Sequence, residues 1–248
     1  MSPTDPRVVV AMGGGGFSEH GAGDPLDRLV LELARAGAAL RGRDCARPRV
    51  CFVPTAGGDS DVYIAKFLAA FEDVAEPGVL RLFDRSVVDV EGFLRDQDAV
   101  YVGGGNTVNM LAIWGLHGVD RALRRAWSEG VVMAGVSAGS LCWFEAGTTD
   151  AYGPELAILD RALGFLPGSH CPHYDVEPGR RPLYQRLVAD GRLPAGYAAD
   201  DDAALVFRGT GLAESVSARP GAGCYRVERR PDGSAGETAL PTRPLPGS

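Results

Sequence analysis

The sequence predicts an α/β fold on a mainly parallel sheet. Three observations carry the prediction. β-branched runs alternate with helix-spaced apolar residues through the N-terminal half, three of those runs end in glycine-rich segments, and 248 residues suffice for a large core.

Residues 7–12, RVVVAM, form a continuous hydrophobic run ending in the glycines at 13–16, the signature of a strand buried on both faces. Asp24 and Pro25 then offer an N-cap and a first-turn proline, and Leu26, Leu29, Val30 and Leu33 follow at helical spacing. RVCFVPTA (49–56) predicts a second strand, and Ile64, Phe67, Leu68 and Phe71 a second helix. GVLRLFD (78–84) and DAVYVGGG (98–105) predict two more strands. Val119, Leu123 and Trp127 mark a further helix, and GVVMAGV (130–136) a fifth strand.

Strands separated by helices require crossover connections and hence parallel pairing. Beyond about residue 145 the alternation fades. A helix is expected over 181–190, and short antiparallel strands around the RGTG and RPGAG turns. Residues 1–240 are read as a single α/β domain, and the Pro-rich 241–248 as a flexible tail.

The chain is 45% hydrophobic and carries a net charge of −7 with no Lys/Arg stripe, which argues against nucleic acid as a partner. No apolar run approaches the ~20 residues that span a bilayer, and the N-terminus lacks a signal-peptide pattern. Five irregularly spaced cysteines without a CxxC pair suit a reducing compartment, so a cytoplasmic protein is expected.

The segment that most invites chemistry is GVSAGSLC, 135–142. Gly135-Val136-Ser137-Ala138-Gly139 fits G-x-S-x-G, in which a serine sits on a tight strand-to-helix turn and the next amide, that of Ala138, faces a developing oxyanion. The competing reading is a plain turn with an N-capping serine. Gly103-Gly104-Gly105 ends the fourth predicted strand and can supply a second donor, while Asn106 or Thr107 caps the helix after it. The run at 13–16 is neither a Walker loop nor a dinucleotide fingerprint; it reads as close backbone approach to a substrate, with Gly15 at its centre.

A serine nucleophile needs a base. His20 follows the first glycine loop, and His117 lies in a helix–helix turn. His170 and His173, in PGSHCPHYD, are the better candidates, one as base and the other as a structural hydrogen-bonding group. A metal is not expected, because no second Cys/His cluster accompanies SHCPH. Spacing leaves the orienting carboxylate open among Glu145, Asp150, Glu155, Asp160 and Asp175.

Taken together, YVGGGNT, GVSAGSLCWFE, TTDAYG and CPHYD, in this order, resemble the peptidase E family of aspartyl dipeptidases and their cyanophycinase relatives. The resemblance runs over nearly the whole chain. It implies a flavodoxin-like three-layer sandwich of the class I glutamine amidotransferase type, with serine where those enzymes carry cysteine. By motif it implies Ser137 as nucleophile, His173 as base and Asp150, after the TT dipeptide, as third member, with Glu145 and Glu155 as rivals. It further implies an oxyanion hole from Gly105 and Ala138, an acyl-enzyme and no cofactor. Cys142, one turn past the elbow, is expected in the core. For an aspartyl substrate an arginine is needed; Arg181, near Arg180 and Arg186, is the weak candidate, with Gly15 and Asn106 as further substrate contacts.

The expected function is a serine peptidase acting on small peptides, a dipeptidase with N-terminal Asp as the first specificity to test. The partner is then a small peptide, with no membrane, and the chain a monomer or homodimer. The alternatives are another acyl hydrolase on the same fold, cyanophycinase-like or an esterase, and a non-catalytic small-molecule-binding homologue. An α/β-hydrolase is disfavoured, because there the histidine lies further beyond the acid than His173 lies beyond Asp150.

Overall fold

A computed structural model gives the structure of residues 5–247; residues 1–4 of the expected domain and 248 of the expected tail lie outside the described residues. In chain order the elements are β1 (Val8–Met12), α1 (Phe17–His20), α2 (Pro25–Leu40), β2 (Arg49–Val53), α3 (Asp61–Phe71), β3 (Glu76–Val79), α4 (Val90–Arg95), β4 (Ala99–Val102), α5 (Thr107–His117), α6 (Val119–Ser128), β5 (Val132–Val136), α7 (Ala138–Leu141), β6 (Ala146–Thr149), β7 (Ala157–Leu159), β8 (Ser169–Cys171), α8 (Arg180–Ala189), β9 (Gly196–Ala199), β10 (Ala203–Arg208), β11 (Gly211–Ser217), β12 (Cys224–Arg229), β13 (Ala235–Ala239) and β14 (Thr242–Pro244).

The main sheet has the strand order β14-β11-β10-β1-β5-β4-β2-β3. From β1 to β3 all pairing is parallel, as the crossover argument required. β10 and β11 extend the sheet antiparallel beside β1. Successive side chains of a strand face opposite sides. Val8, Val10 and Met12 therefore pack toward α2 and α3, with Leu26, Val30, Phe67 and Phe71. Val9 and Ala11 share a second core with Met110, Trp114, Leu123 and Trp127 of α5 and α6. Helices cover both faces, giving the three layers of a flavodoxin-like sandwich. Asp24 accepts from the Leu26 amide at 2.7 Å and starts α2 as an N-cap, with Pro25 behind it.

A second sheet, β13-β12-β9-β8-β6-β7, occupies the C-terminal half. Its inner strands β6, β8 and β9 run parallel. α8 lies against it through Tyr184, Leu187 and Val188, which meet Cys171, Ala198 and Val227. The carboxyl ends of β8 and β9 are thus neighbours, and this juxtaposition builds the site.

Two expectations are corrected. The strand expected over 78–84 ends at Val79, because Asp59 accepts from the amides of Leu82 (2.6 Å) and Phe83 (3.0 Å) and draws the chain off the sheet. The tail expected loose from 241 is ordered. β14 pairs parallel with β11, Leu245 is buried, and Arg28 donates to the Pro246 carbonyl at 2.6 Å. Among the described residues no helix is long and apolar enough to cross a membrane.

Candidate active site

Ser137 stands where β5 ends, with φ 56° and ψ −114°, a conformation that a residue with a side chain rarely adopts. Its amide donates to the Met12 carbonyl at the end of β1 (3.2 Å), so two parallel strands hold the turn. The flanking glycines have a specific cause. A Cβ on Gly135 would lie 2.2 Å from the Gly139 carbonyl oxygen, and one on Gly139 would lie 2.2 Å from that of Val102 in β4. The turn closes only because both positions lack a side chain. α7 is a single turn, after which the chain passes into β6. Cys142 behind it is fully buried, and burial pushes its thiol far above the usual range.

His173 follows β8 in a left-handed backbone conformation, φ 53°. Its Nε2 lies 2.8 Å from Ser137 Oγ, and its Nδ1 lies 2.6 Å from Asp201 Oδ1. Asp201 is not among the carboxylates that the motif spacing offers. It sits in the turn between β9 and β10, and the same segment that carries His173 fixes it. Tyr174 N–H donates to the Ala199 carbonyl (3.1 Å), and Asp201 N–H donates to Asp175 Oδ1 (2.9 Å). His173 and Asp201 are each largely buried, at 17% and 16% side-chain exposure, so their interaction is sheltered from bulk water.

The first glycine run explains how that carboxylate reaches its place. Gly14 bridges to Asp201, and a Cβ at Gly14 would come 2.2 Å from Asp201 Oδ1. Gly13 backs onto the Asp200 carbonyl, and a Cβ on Gly15 would meet Asp202 Oδ1 at 2.5 Å. The close backbone approach read from residues 13–16 is real, but the group that approaches is the chain's own Asp200-Asp201-Asp202 turn.

Asp150 is not on the histidine. Its side chain is 61% exposed, and it lies 3.9 Å from the guanidinium of Arg180. Glu145 accepts from the Gly168 amide (2.8 Å), while Glu155 and Asp160 are exposed. Arg181 is engaged elsewhere. It forms a two-pronged pair with Glu237 and lies over the rings of Tyr174 and Tyr225. Arg180, not Arg181, is the buried arginine of α8, at 3% exposure. Asn106 caps α5, accepting from Asn109 N–H at 2.8 Å, and donates to the Ala151 carbonyl at 2.9 Å. The Gly103-Gly104-Gly105 loop runs beside the serine; a Cβ on Gly104 would lie 3.5 Å from Ser137 Cβ. Gly105 has φ 134° and packs on the Ala56 carbonyl. Ala138 opens α7, so its amide has no carbonyl one turn earlier in that helix to donate to.

The remaining histidines lie apart. His117 closes α5 and meets Arg85 at 2.9 Å, and His20 meets Asp202 at 2.7 Å. His170 is fully buried in β8, stacked on Phe144 at 4.6 Å and bonded to Ser140 Oγ (3.1 Å) and the Tyr197 carbonyl (3.2 Å). Desolvation lowers its pKa to about 3. The unfolded chain takes up that proton near 6.5, so the stabilising effect of the neutral ring is complete above pH 6.5 and is lost progressively as pH falls toward 3. His170→Gln, which does not titrate, is expected to show a shallower fall of Tm between pH 7 and pH 4 than the wild type. An unchanged slope would contradict this assignment.

Among the described residues no three His, Cys, Asp or Glu side chains are grouped to hold a metal ion. The arrangement instead can pass a proton from a hydroxyl to an imidazole whose far nitrogen faces a carboxylate. That constellation, on a parallel sheet with the serine at a strained strand end, defines a serine-type hydrolase. Residues 9–215 match peptidase family S51, and the chain belongs to that family as a serine-type peptidase. It is 46% identical over 222 residues to an uncharacterized peptidase, YgaJ, of Bacillus subtilis (strain 168), covering 89% of this chain and 92% of that one. It is 31% identical over 149 residues to peptidase E of Streptomyces coelicolor, covering 54% and 55%. The crystal structure of a peptidase from an acI-B1 actinobacterium shares the fold, with a TM-score of 0.68 at 17% identity, over 95% of this chain and 94% of that one.

Proposed function

We propose that the protein hydrolyses small peptides through an acyl-enzyme, with Ser137 as nucleophile, His173 as general base and Asp201 as the carboxylate that orients it. The hydrogen-bonded chain Ser137 Oγ, His173 and Asp201, with spacings of 2.8 Å and 2.6 Å, carries this reading. His173 accepts the Ser137 proton as Oγ attacks the scissile carbonyl, and the C–N bond breaks as the imidazolium returns that proton to the leaving amine. Water then attacks the ester, with His173 again as base. The amides of Gly105 and Ala138 are the donors proposed for the tetrahedral oxyanion, each a contribution of roughly 3–4 kcal/mol in comparable sites. Asp201 keeps one imidazole nitrogen protonated and the other aimed at Ser137.

A dipeptide substrate is the narrower proposal, and an N-terminal Asp is one specificity to test. Arg181 is no longer its anchor, since Glu237 already neutralises it. The experiment is a panel of Xaa-Xaa dipeptides and Xaa-para-nitroanilides, wild type beside Ser137→Ala. Cleavage of peptide bonds next to the N-terminal residue, absent in the variant, is the expected result. Ester hydrolysis by folded wild-type protein without cleavage of any peptide in the panel would overturn the substrate class.

A further inference from the structure

We infer that Arg219 is a positioning residue for Asp201, a reading that rests on the proposed Ser137–His173–Asp201 relay. Arg219 follows β11, far in sequence from either histidine segment, yet its guanidinium closes around the Asp201 turn. Nη2 donates to the Asp201 carbonyl (3.1 Å) and to Asp175 Oδ2 (2.7 Å), and Nε donates to Asp202 Oδ2 (3.0 Å). Among the described residues these are the hydrogen bonds its side chain makes. The other oxygen of Asp175 accepts from the Asp201 amide at 2.9 Å. The backbone of Asp201 is thereby held at its amide through Asp175 and at its carbonyl by Arg219 directly, while its carboxylate points to His173.

The turn needs this restraint. Asp202 has φ 63°, a left-handed conformation that costs free energy unless its surroundings over-determine it. Its carboxylate bridges Arg219 on one side and His20 on the other (2.7 Å), and its carbonyl accepts from the Ala218 amide (2.7 Å). Three consecutive aspartates would otherwise repel one another and splay. A planar fork with donors in fixed directions can reach a carbonyl and two carboxylates at once; a lysine ammonium, as a point charge, cannot hold all three in one geometry. Asp175, which sequence reasoning placed among the candidate triad acids, holds backbone and guanidinium instead.

The test measures saturable inactivation of Ser137 by a fluorophosphonate probe, which needs no knowledge of the peptide substrate. The proteins are wild type, Arg219→Met, Arg219→Lys, Asp201→Asn and the Arg219→Met/Asp201→Asn double variant, each checked by circular dichroism and thermal melting. Arg219→Met is expected to lower the limiting inactivation rate at least tenfold with little change in the half-saturating probe concentration, and Arg219→Lys to recover part of that loss. In the Asp201→Asn background, Arg219→Met is expected to add less than twofold, because a residue that acts through Asp201 has nothing left to position. Independent, multiplying losses, or a wild-type rate in folded Arg219→Met, would overturn the inference while leaving the triad intact. A wild-type rate in Asp201→Asn itself would instead defeat the triad reading on which it rests.

Discussion

Asp201→Asn is expected to lower kcat by about 10,000-fold while Asp150→Asn stays within about tenfold of wild type. The magnitude follows from what the carboxylate does in this geometry. An ionised Asp201 accepts from His173 Nδ1, which leaves Nε2 free to take the Ser137 proton. Asparagine can present an N–H at the same place, favouring the tautomer in which Nε2 is already protonated and useless as a base; in a comparable triad that exchange costs about four orders of magnitude. Asp150 makes no contact with the imidazole among the described residues and stands exposed beside Arg180. Its removal should touch the site only through the loop that Asn106 ties at Ala151. A second route reaches the same carboxylate from behind. Gly14→Ala puts a methyl group where Asp201 Oδ1 now lies and should reproduce much of the Asp201→Asn loss without altering any titratable group. Steady-state kinetics on the three variants decide the matter. A large fall in Asp150→Asn with an active Asp201→Asn would reverse the assignment.

Ser137→Ala is expected to abolish turnover, by about 10⁶-fold, to the residual rate that binding and oxyanion donors can provide alone. The fold should tolerate it. Oγ makes its hydrogen bond to His173, and the turn is held by backbone contacts to Met12, Ser140 and Leu141 that alanine keeps. The variant's Tm is therefore expected to stay close to that of the wild type. Alanine does not relieve φ 56°, since it too carries a Cβ. Mass spectrometry after fluorophosphonate treatment should find the label on Ser137 in the wild type and none on the variant. Unchanged peptidase activity in Ser137→Ala would place the nucleophile elsewhere.

Sequence and structure agree where the signal is local. The β1 run, the Asp24 cap, the parallel strands and the G-x-S-x-G turn are each encoded within about ten residues, and each is found. The identity of Ser137 and His173 as partners was legible because both sit in short motifs at strand ends. Asp201 was not, since its pairing with His173 arises from β8 and β9 lying side by side in the second sheet, and nothing in the spacing of residues 173 and 201 announces that. A signal was nevertheless present. Three aspartates in a row, directly ahead of the buried run AALVF, place carboxylates at the end of a core strand, where unpartnered charge is costly. The run of glycines at 13–15 was the complementary half of that signal, needed for the Asp200-Asp201-Asp202 turn to approach rather than for a ligand. Arg181 illustrates the converse. The start of a helix, read alone, does not reveal the strand β13 whose Glu237 pairs with it. The tail from 241 reads as loose because composition sees three prolines, whereas β11 offers β14 an open edge for parallel pairing.

The most direct test is the proton NMR resonance of His173 Nδ1–H. A short hydrogen bond from an imidazole to a buried carboxylate shifts this proton far downfield. Such a resonance is expected in the wild type, with its loss in His173→Gln and Asp201→Asn and its persistence in Asp150→Asn. A downfield resonance that survives Asp201→Asn and disappears in Asp150→Asn would contradict the pairing of His173 with Asp201.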